Sequence, residues 1–260
     1  MRVPFYKYQG TGNDFVLIDN RTNLFDRERR DLVAKLCHRR FGIGADGFIL
    51  LQNKDGYDFE MVYYNADGNE STMCGNGGRC IVQFAYDLGV IGAQTRFLAV
   101  DGPHDAQVKE GMVHLHMIDV SKITDYGDGT FFLNTGSPHF IRKVEKIDQF
   151  SVFEEGKKIR YSDRFQPGGT NVNFMEFVDG RLFVRTYERG VEDETYSCGT
   201  GVTAAAIVAS LLGASTPVAI KTLGGDLEVS FTKHDNQRYT EVYLCGPAKQ
   251  VFKGEIEIAI

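Results

Sequence analysis

Two cysteines stand out by what surrounds them. Cys74 follows Glu70-Ser-Thr-Met and precedes Gly-Asn-Gly77, while Cys198 follows Glu194-Thr-Tyr-Ser and precedes Gly-Thr-Gly201, 124 positions later. Each leads into an apolar run, 80–88 and 204–212, that stops at a glycine, Gly89 or Gly213. The runs read as helices. A thiol at the mouth of a glycine-rich turn that opens a helix meets unbonded N–H groups and the positive end of the helix dipole, and both favour thiolate. Suppose one thiolate and one thiol face the same carbon from opposite sides. The first removes a proton from one face and the second returns a proton to the other, which inverts a stereocentre. The roles exchange in the reverse direction. The α-carbon of an amino acid is such a centre, and its carbanion needs help. The N–H groups of Gly75-Asn76 and Gly199-Thr200 are placed to hold the carboxylate on which charge develops. No lysine context for pyridoxal phosphate and no phosphate-binding fingerprint is evident, so the expected reaction uses no cofactor.

The other cysteines, Cys37, Cys80 and Cys245, read as small buried hydrophobes. There is no Cys-x-x-Cys pair and no histidine cluster at zinc spacing, so no metal site is expected. Glu70 and Glu194 read as capping or turn residues. Glu188-Arg189, just before the second cysteine loop, suits a zwitterionic substrate end and suits a structural ion pair equally well.

The 260 residues are 42% hydrophobic and 25% charged, with a formal net charge of −6. Lysine and arginine are scattered, which leaves no footprint for nucleic acid or a membrane surface. Five cysteines and an opening Met1-Arg-Val-Pro-Phe5 unlike a secretory leader point to a reducing, cytoplasmic setting.

Strands are expected at 3–8, 15–19, 48–52 and 59–64, with a helix from Asp26 through Arg40 whose arginines face solvent. Alternating stretches near 95–100, 106–109 and 113–118 read as antiparallel strands. The second half repeats the order: strands at 131–134, 172–177 and 182–188, a mixed segment from 147 to 161, then strands near 218–222, 227–231, 239–244 and 255–260. The 124-residue offset aligns Asn13 with Ser137, Gly47 with Asn171, Tyr63 with Tyr187 and Asn65 with Arg189. This is the pattern of an internal duplication. The expected fold is α+β, two pseudo-symmetric domains at 1–118 and 119–249 with a cleft between them. The apolar character of both central helices suggests a mixed or antiparallel sheet wrapped around each, though a two-layer sandwich fits the pattern as well.

Together, Gly12-Asn-Asp-Phe15, Tyr64-Asn-Ala-Asp-Gly68, Cys74-Gly-Asn-Gly-Gly-Arg-Cys80, Gly136-Ser-Pro-His139, Asn171-Val-Asn-Phe174, Glu188-Arg-Gly190 and Cys198-Gly-Thr-Gly201 resemble diaminopimelate epimerase along nearly the whole chain. The resemblance implies an isomerase that interconverts LL- and meso-2,6-diaminopimelate without cofactor, in lysine and peptidoglycan precursor synthesis. It implies a homodimer and a last strand, 250–260, that returns to the first domain. Carried over, Cys74 is the base toward the LL substrate and Cys198 the acid. Asn13, Asn65, Asn171, Glu188 and Arg189 match substrate-binding positions, and Gly75, Asn76, Gly199 and Thr200 match the cradle for the reacting carboxylate. Some members carry Gln where this chain has Gly47 and Asn where it has Ser137. Three other readings compete: a proline or hydroxyproline racemase of the same fold, a thiol redox protein cycling through a disulfide, and a non-catalytic amino-acid binding module.

Overall fold

A computed structural model of the chain describes residues 1–258. The chain divides into two compact units, Met1–Leu115 with Pro247–Ile260, and His116–Gly246.

In the first unit β1 (Arg2–Gly10) turns through Thr11-Gly12, both at positive φ, into antiparallel β2 (Asn13–Asp19). A crossover carrying α1 (Arg30–Cys37) brings in β3 (Gly47–Gln52) parallel to β2, and β4 (Glu60–Asn65) returns antiparallel to β3. Helix α2 (Gly75–Asp87) then leads to β5 (Gln94–Ala99), parallel to β4, and on to antiparallel β6 (Gly102–Lys109) and β7 (Met112–His116). The strand opposite β2 on β1 comes from the far end of the chain: β17 (Lys249–Glu257) pairs antiparallel with β1.

Strands β2 and β3 are apolar on both faces because each face has its own helix. Val16, Ile18, Phe48 and Leu50 join Phe25, Val33 and Leu36 in the core beneath α1. The alternate residues Phe15 and Ile49 point the other way, against Gly77 of α2. Strands β1, β2, β3, β6 and β17 all touch α2, so the sheet curls around that helix.

The second unit has the same plan. β8 (Ile123–Gly127), β9 (Thr130–Asn134) and β10 (Pro138–Lys143) form a meander, and α3 (Val152–Arg160) crosses to β11 (Asn171–Val178), parallel to β10. β12 (Arg181–Glu188) returns antiparallel and carries the short β13 (Asp193–Thr195). Helix α4 (Gly199–Leu211) leads to β14 (Val218–Thr222), parallel to β12, then to antiparallel β15 (Gly225–Lys233) and β16 (Tyr239–Gly246). Seven strands, β9–β12 and β14–β16, touch α4. That explains a helix apolar all round, with every residue from Gly201 to Ser210 buried. Burial of Ile207 and Val208 alone contributes roughly 1.5–3 kcal/mol each.

Several local expectations are revised. The helix expected over 26–40 is confined to Arg30–Cys37. Asp26 does not cap it: its carboxylate accepts the Glu28 N–H in a tight turn. The chain leaves the helix at His38, whose Nδ1 accepts the N–H groups of Arg40 and Phe41. The mixed segment resolves into a 3-10 turn at Ile147–Gln149 and α3. The expected last strand is β17, and positions 259 and 260 lie outside the described residues.

The duplication holds in structure, with one slip. α2 and α4 begin and end 124 residues apart, and the parallel pairs Phe15–Gly47 and His139–Asn171 share that offset. The antiparallel pair does not. Phe48 faces Tyr64, but Val172 faces Tyr187, one residue short of the offset. The β11–β12 hairpin turns tightly through Asp179-Gly180, both at positive φ, whereas seven residues separate β3 from β4. An extra residue between β12 and Glu194 then restores the count: Glu70 faces Tyr64, and Glu194 faces Tyr187. A one-residue slip reverses which face each side chain occupies. Tyr187 therefore lies in the core beneath α3, where Tyr64, not Tyr63, lies beneath α1, and Glu188 stands in the place of Asn65. The matches of Tyr63 with Tyr187 and of Asn65 with Arg189 are corrected accordingly.

Candidate active site

Each of the two thiols is the N-cap of its helix. Cys74 (φ −101°, ψ 145°) and Cys198 (φ −113°, ψ 112°) are extended, and the chain enters the helix at the following glycine. The Cys74 Sγ accepts the Gly77 N–H at 3.2 Å, one of the donors that the first helical turn leaves unbonded. The Cys198 Sγ lies 3.5 Å from the Thr200 hydroxyl. Cys74 is half-buried and Cys198 is 7% exposed. The second glycine of each Cys-Gly-x-Gly loop has a packing reason. A Cβ on Gly77 would stand 3.2 Å from the Cys74 Sγ, and one on Gly201 would stand 2.3 Å from the Asn173 Oδ1.

Cys37, Cys80 and Cys245 are buried within the units, as their surroundings suggest. Burial pushes the Cys37 thiol up to about 12 and raises the Cys80 thiol as well, so neither ionises readily. Among the described residues no group of three or more His, Cys, Asp or Glu side chains is placed to hold a metal ion.

Around the first thiol, Asn13 begins β2 and donates from Nδ2 to Asp46 at 2.7 Å. Asn76 approaches it, Nδ2 to Oδ1, at 3.4 Å. Asn65 ends β4 with its side chain exposed and its N–H bonded to the Asn69 carbonyl. Gly75 and Asn76 form the first turn of α2 and are buried. Asp14, beside Asn13, is gripped by Arg39 and Lys7 at 2.7 Å each. Burial works against its ionisation, but Arg39 and Lys7 outweigh that and hold its carboxyl at about 2. Arg39, expected on a solvated helix face, thus braces Asp14 and Asp46.

In the second unit, Asn171 is 4% exposed and hydrogen-bonded through both ends of its amide. Its Nδ2 donates to the Ser137 hydroxyl and the Pro138 carbonyl, and its Oδ1 accepts the Arg189 N–H at 2.8 Å. With both amide protons committed, Asn171 organises Ser137 and Arg189 and has only lone-pair capacity left over. The exposed Arg189 guanidinium reaches the Gly168 carbonyl (3.3 Å) and the Ser137 hydroxyl (3.4 Å). Glu188 accepts the Thr195 hydroxyl at 2.8 Å. Thr200 is held by its carbonyl, which accepts the Thr135 hydroxyl. His139 is wholly buried and lowered to about 3 by burial and by Arg189, so it is neutral at working pH. Its Nδ1 lies 3.1 Å from the Asn173 amide.

Glu70 and Glu194 do not cap their helices. Glu70 pairs with Arg27 at 3.6 Å, and Glu194 takes two bonds from Arg185 at 2.6 and 2.8 Å. Gly47 also reads differently in three dimensions. A Cβ there would stand 2.5 Å from the Tyr63 ring, so the ring fills the space a longer side chain would need. The residue that sequence reasoning passed over is Arg79. It was visible inside the first cysteine motif, but nothing in its spacing shows that it folds back, fully buried, onto Gly75 and Asn76.

Sheets wrapped around a central helix in each of two units define a known fold. The chain is similar over 99% of its length to the solved PhzF-family phenazine biosynthesis protein of Bacillus anthracis, all of which is covered, with a TM-score of 0.79 at 14% identity. It is similar over 98% of its length to 92% of the hydroxyproline epimerase of Agrobacterium vitis, with a TM-score of 0.69 at 14% identity. At that identity the likeness speaks for the fold alone. Sequence narrows the class. The family model for diaminopimelate epimerase matches residues 5–121 and 131–251. The diaminopimelate epimerase of Flavobacterium psychrophilum is 51% identical over 258 residues, covering 98% of this chain and all of the relative. That of Chlorobaculum tepidum is 46% identical over 263 residues, covering 96% and 99%. The chain belongs to the diaminopimelate epimerase family and is an isomerase of that family.

Proposed function

We propose that the protein interconverts LL- and meso-2,6-diaminopimelate without a cofactor, with Cys74 and Cys198 as the acid–base pair. The observation that carries this reading is the matched pair of helix caps. Two cysteines, in two units of one plan, each stand at the N-terminus of a buried 13-residue helix. In the LL direction the Cys74 thiolate takes the α-proton and the Cys198 thiol delivers one to the opposite face of the same carbon. The N–H groups at Gly75-Asn76 and Gly199-Thr200 hold the α-carboxylate, and the charge that develops there is stabilised most in the transition state. Asn13, Asn65, Asn171, Glu188 and Arg189 bind the substrate, with Arg189 taking the distant carboxylate and Asn171 holding Arg189 and Ser137 in place. The same reading makes the protein a cytoplasmic homodimer supplying lysine and peptidoglycan precursors, as the family resemblance implies. Light scattering on the purified protein checks the dimer.

The test is incubation of reduced protein with LL-diaminopimelate in deuterated water, followed by proton NMR and chiral analysis. Loss of the α-proton signal with formation of meso product is expected. Cys74→Ser and Cys198→Ser are each expected to lose at least about 10³-fold in turnover while still binding substrate. No exchange by folded, reduced protein would refute the assignment, and proline and hydroxyproline would be the next substrates.

A further inference from the structure

Asn13 and Asn76 belong to one hydrogen-bonded row that ends on two residues outside the assigned site. At one end Arg79, 0% exposed, donates from Nη2 to the Asn76 Oδ1 (3.0 Å) and the Thr11 hydroxyl (3.1 Å), and from Nη1 to the Gly75 carbonyl (3.2 Å). The Asn76 Nδ2 faces the Asn13 Oδ1 at 3.4 Å, and the Asn13 Nδ2 donates to Asp46 at 2.7 Å. Asp46 is held by Arg39, also at 2.7 Å.

A guanidinium only donates and a carboxylate only accepts. The row therefore has one direction. Each amide turns its oxygen toward Arg79 and its nitrogen toward Asp46, because the flipped amide would set N–H against N–H at one end or oxygen against oxygen at the other. Shape cannot make that choice, since the two ends of a carboxamide are nearly the same size.

The second unit shows how much of this a structural tie would need. Position 203, 124 residues after Arg79, is threonine, and its hydroxyl donates to the Gly199 carbonyl at 2.9 Å. A small neutral donor thus suffices for the link to the helix's first carbonyl. The reach from Arg79 to the Asn76 amide is additional.

We propose that Arg79 and Asp46 are positioning residues that fix the amide orientation of Asn13 and Asn76, and so set which donor and which acceptor each amide offers the substrate. The proposal rests on the assignment of Asn13 and Asn76 to the substrate site.

The experiment combines kinetics on LL-diaminopimelate with NMR of protein labelled with ¹⁵N in its asparagine side chains. Asp46 is well exposed, so Asp46→Ala is expected to fold normally. It is expected to raise KM about tenfold with kcat changed less than about threefold, since the amides bind ground and transition states alike. Asp46→Asn, which keeps an oxygen acceptor, is expected to bring KM back to within about threefold of wild type. Arg79→Met and Arg79→Lys repeat the comparison from the buried end. In Asp46→Ala the side-chain resonances of both Asn13 and Asn76 are expected to shift, Asn13 by loss of its bond to Asp46 and Asn76 through Asn13. An unchanged KM with a shift confined to Asn13 would overturn the proposal, as would Asp46→Asn failing to rescue. Should Arg79→Met not fold, the Asp46 variants decide alone. If wild-type protein does not turn over diaminopimelate, the functional assignment fails, while the NMR arm still tests the row by itself.

Discussion

Gly201→Ala inverts an ordinary expectation and can be worked through from the structure. In a helix the change normally stabilises by roughly 0.5–1 kcal/mol, because alanine loses less backbone freedom on folding. Here the added methyl would stand 2.3 Å from the Asn173 Oδ1. Asn173 is 0% exposed and held three ways: the Thr186 hydroxyl donates to its Oδ1 (2.9 Å), and its Nδ2 reaches the His139 Nδ1 and the Phe140 carbonyl, each at 3.1 Å. A normal contact requires the carboxamide to retreat by about 1 Å, which breaks most of those bonds in a place no water reaches. At about 1 kcal/mol net for each bond, and more for groups left unsatisfied, the loss outweighs the helix gain and leaves a net destabilisation of about 2–4 kcal/mol. Thermal unfolding followed by circular dichroism should show the midpoint falling by roughly 5–10 °C. Gly77→Ala is the internal control. Its Cβ meets the Cys74 Sγ at 3.2 Å, Phe15 at 3.4 Å and Ile49 at 3.5 Å, with no approach as close as the 2.3 Å at Gly201, so it should stay within about 1 kcal/mol of wild type. A Gly201→Ala protein as stable as wild type, or more stable, would refute the argument that the buried Asn173 network dictates glycine at this turn.

Arg185→Ala should cost about 3–5 kcal/mol in urea unfolding, because it strands the mostly buried Glu194 carboxylate and the Ile147 and Phe150 carbonyls that the guanidinium now serves. Glu194→Gln should cost less, since it keeps an acceptor. Gly47→Gln should destabilise by about 1–3 kcal/mol by driving into the Tyr63 ring, and adding Tyr63→Val should recover part of that loss in the same assay, the Tyr64 carbonyl at 3.0 Å and Phe15 at 3.2 Å keeping the rest. The acid limb of stability should depend on Asp14. Its folded carboxyl is held at about 2, below the ordinary 3.8, so the unfolded chain binds the extra proton between those values. Its contribution is therefore full above about pH 4 and is lost as the pH falls toward 2. Melting temperatures from pH 2 to 6 should fall less steeply in Arg39→Ala than in wild type, and identical slopes would remove Asp14 from the account.

What could be read in advance follows the range of the forces concerned. The helices at the two thiols are local objects: a cap residue, glycines, an apolar run and a terminating glycine at positive φ, Gly89 or Gly213, all lie within about sixteen positions. The basic segment after Asp26 was harder, because its charge pattern fits a solvated helix until Asp14 and Asp46, brought alongside by the β2–β3 pairing, draw Arg39 away. Asn171 shows the same limit within the site. Its residue type suggests ligand binding, but only the fold reveals that its amide protons are already taken by Ser137 and Pro138.

By itself, then, the sequence determined the two capped thiols, their 124-residue repeat and the family to which the chain belongs, since each depends on residue types at short or constant spacing. Tertiary structure alone decided that β12 slips by one residue against β11, so that Tyr187 takes the place of Tyr64 and Glu188 that of Asn65. A shortened hairpin and a lengthened loop cancel in the residue count, and only cross-strand hydrogen bonding, which fixes the face of every side chain, records the difference.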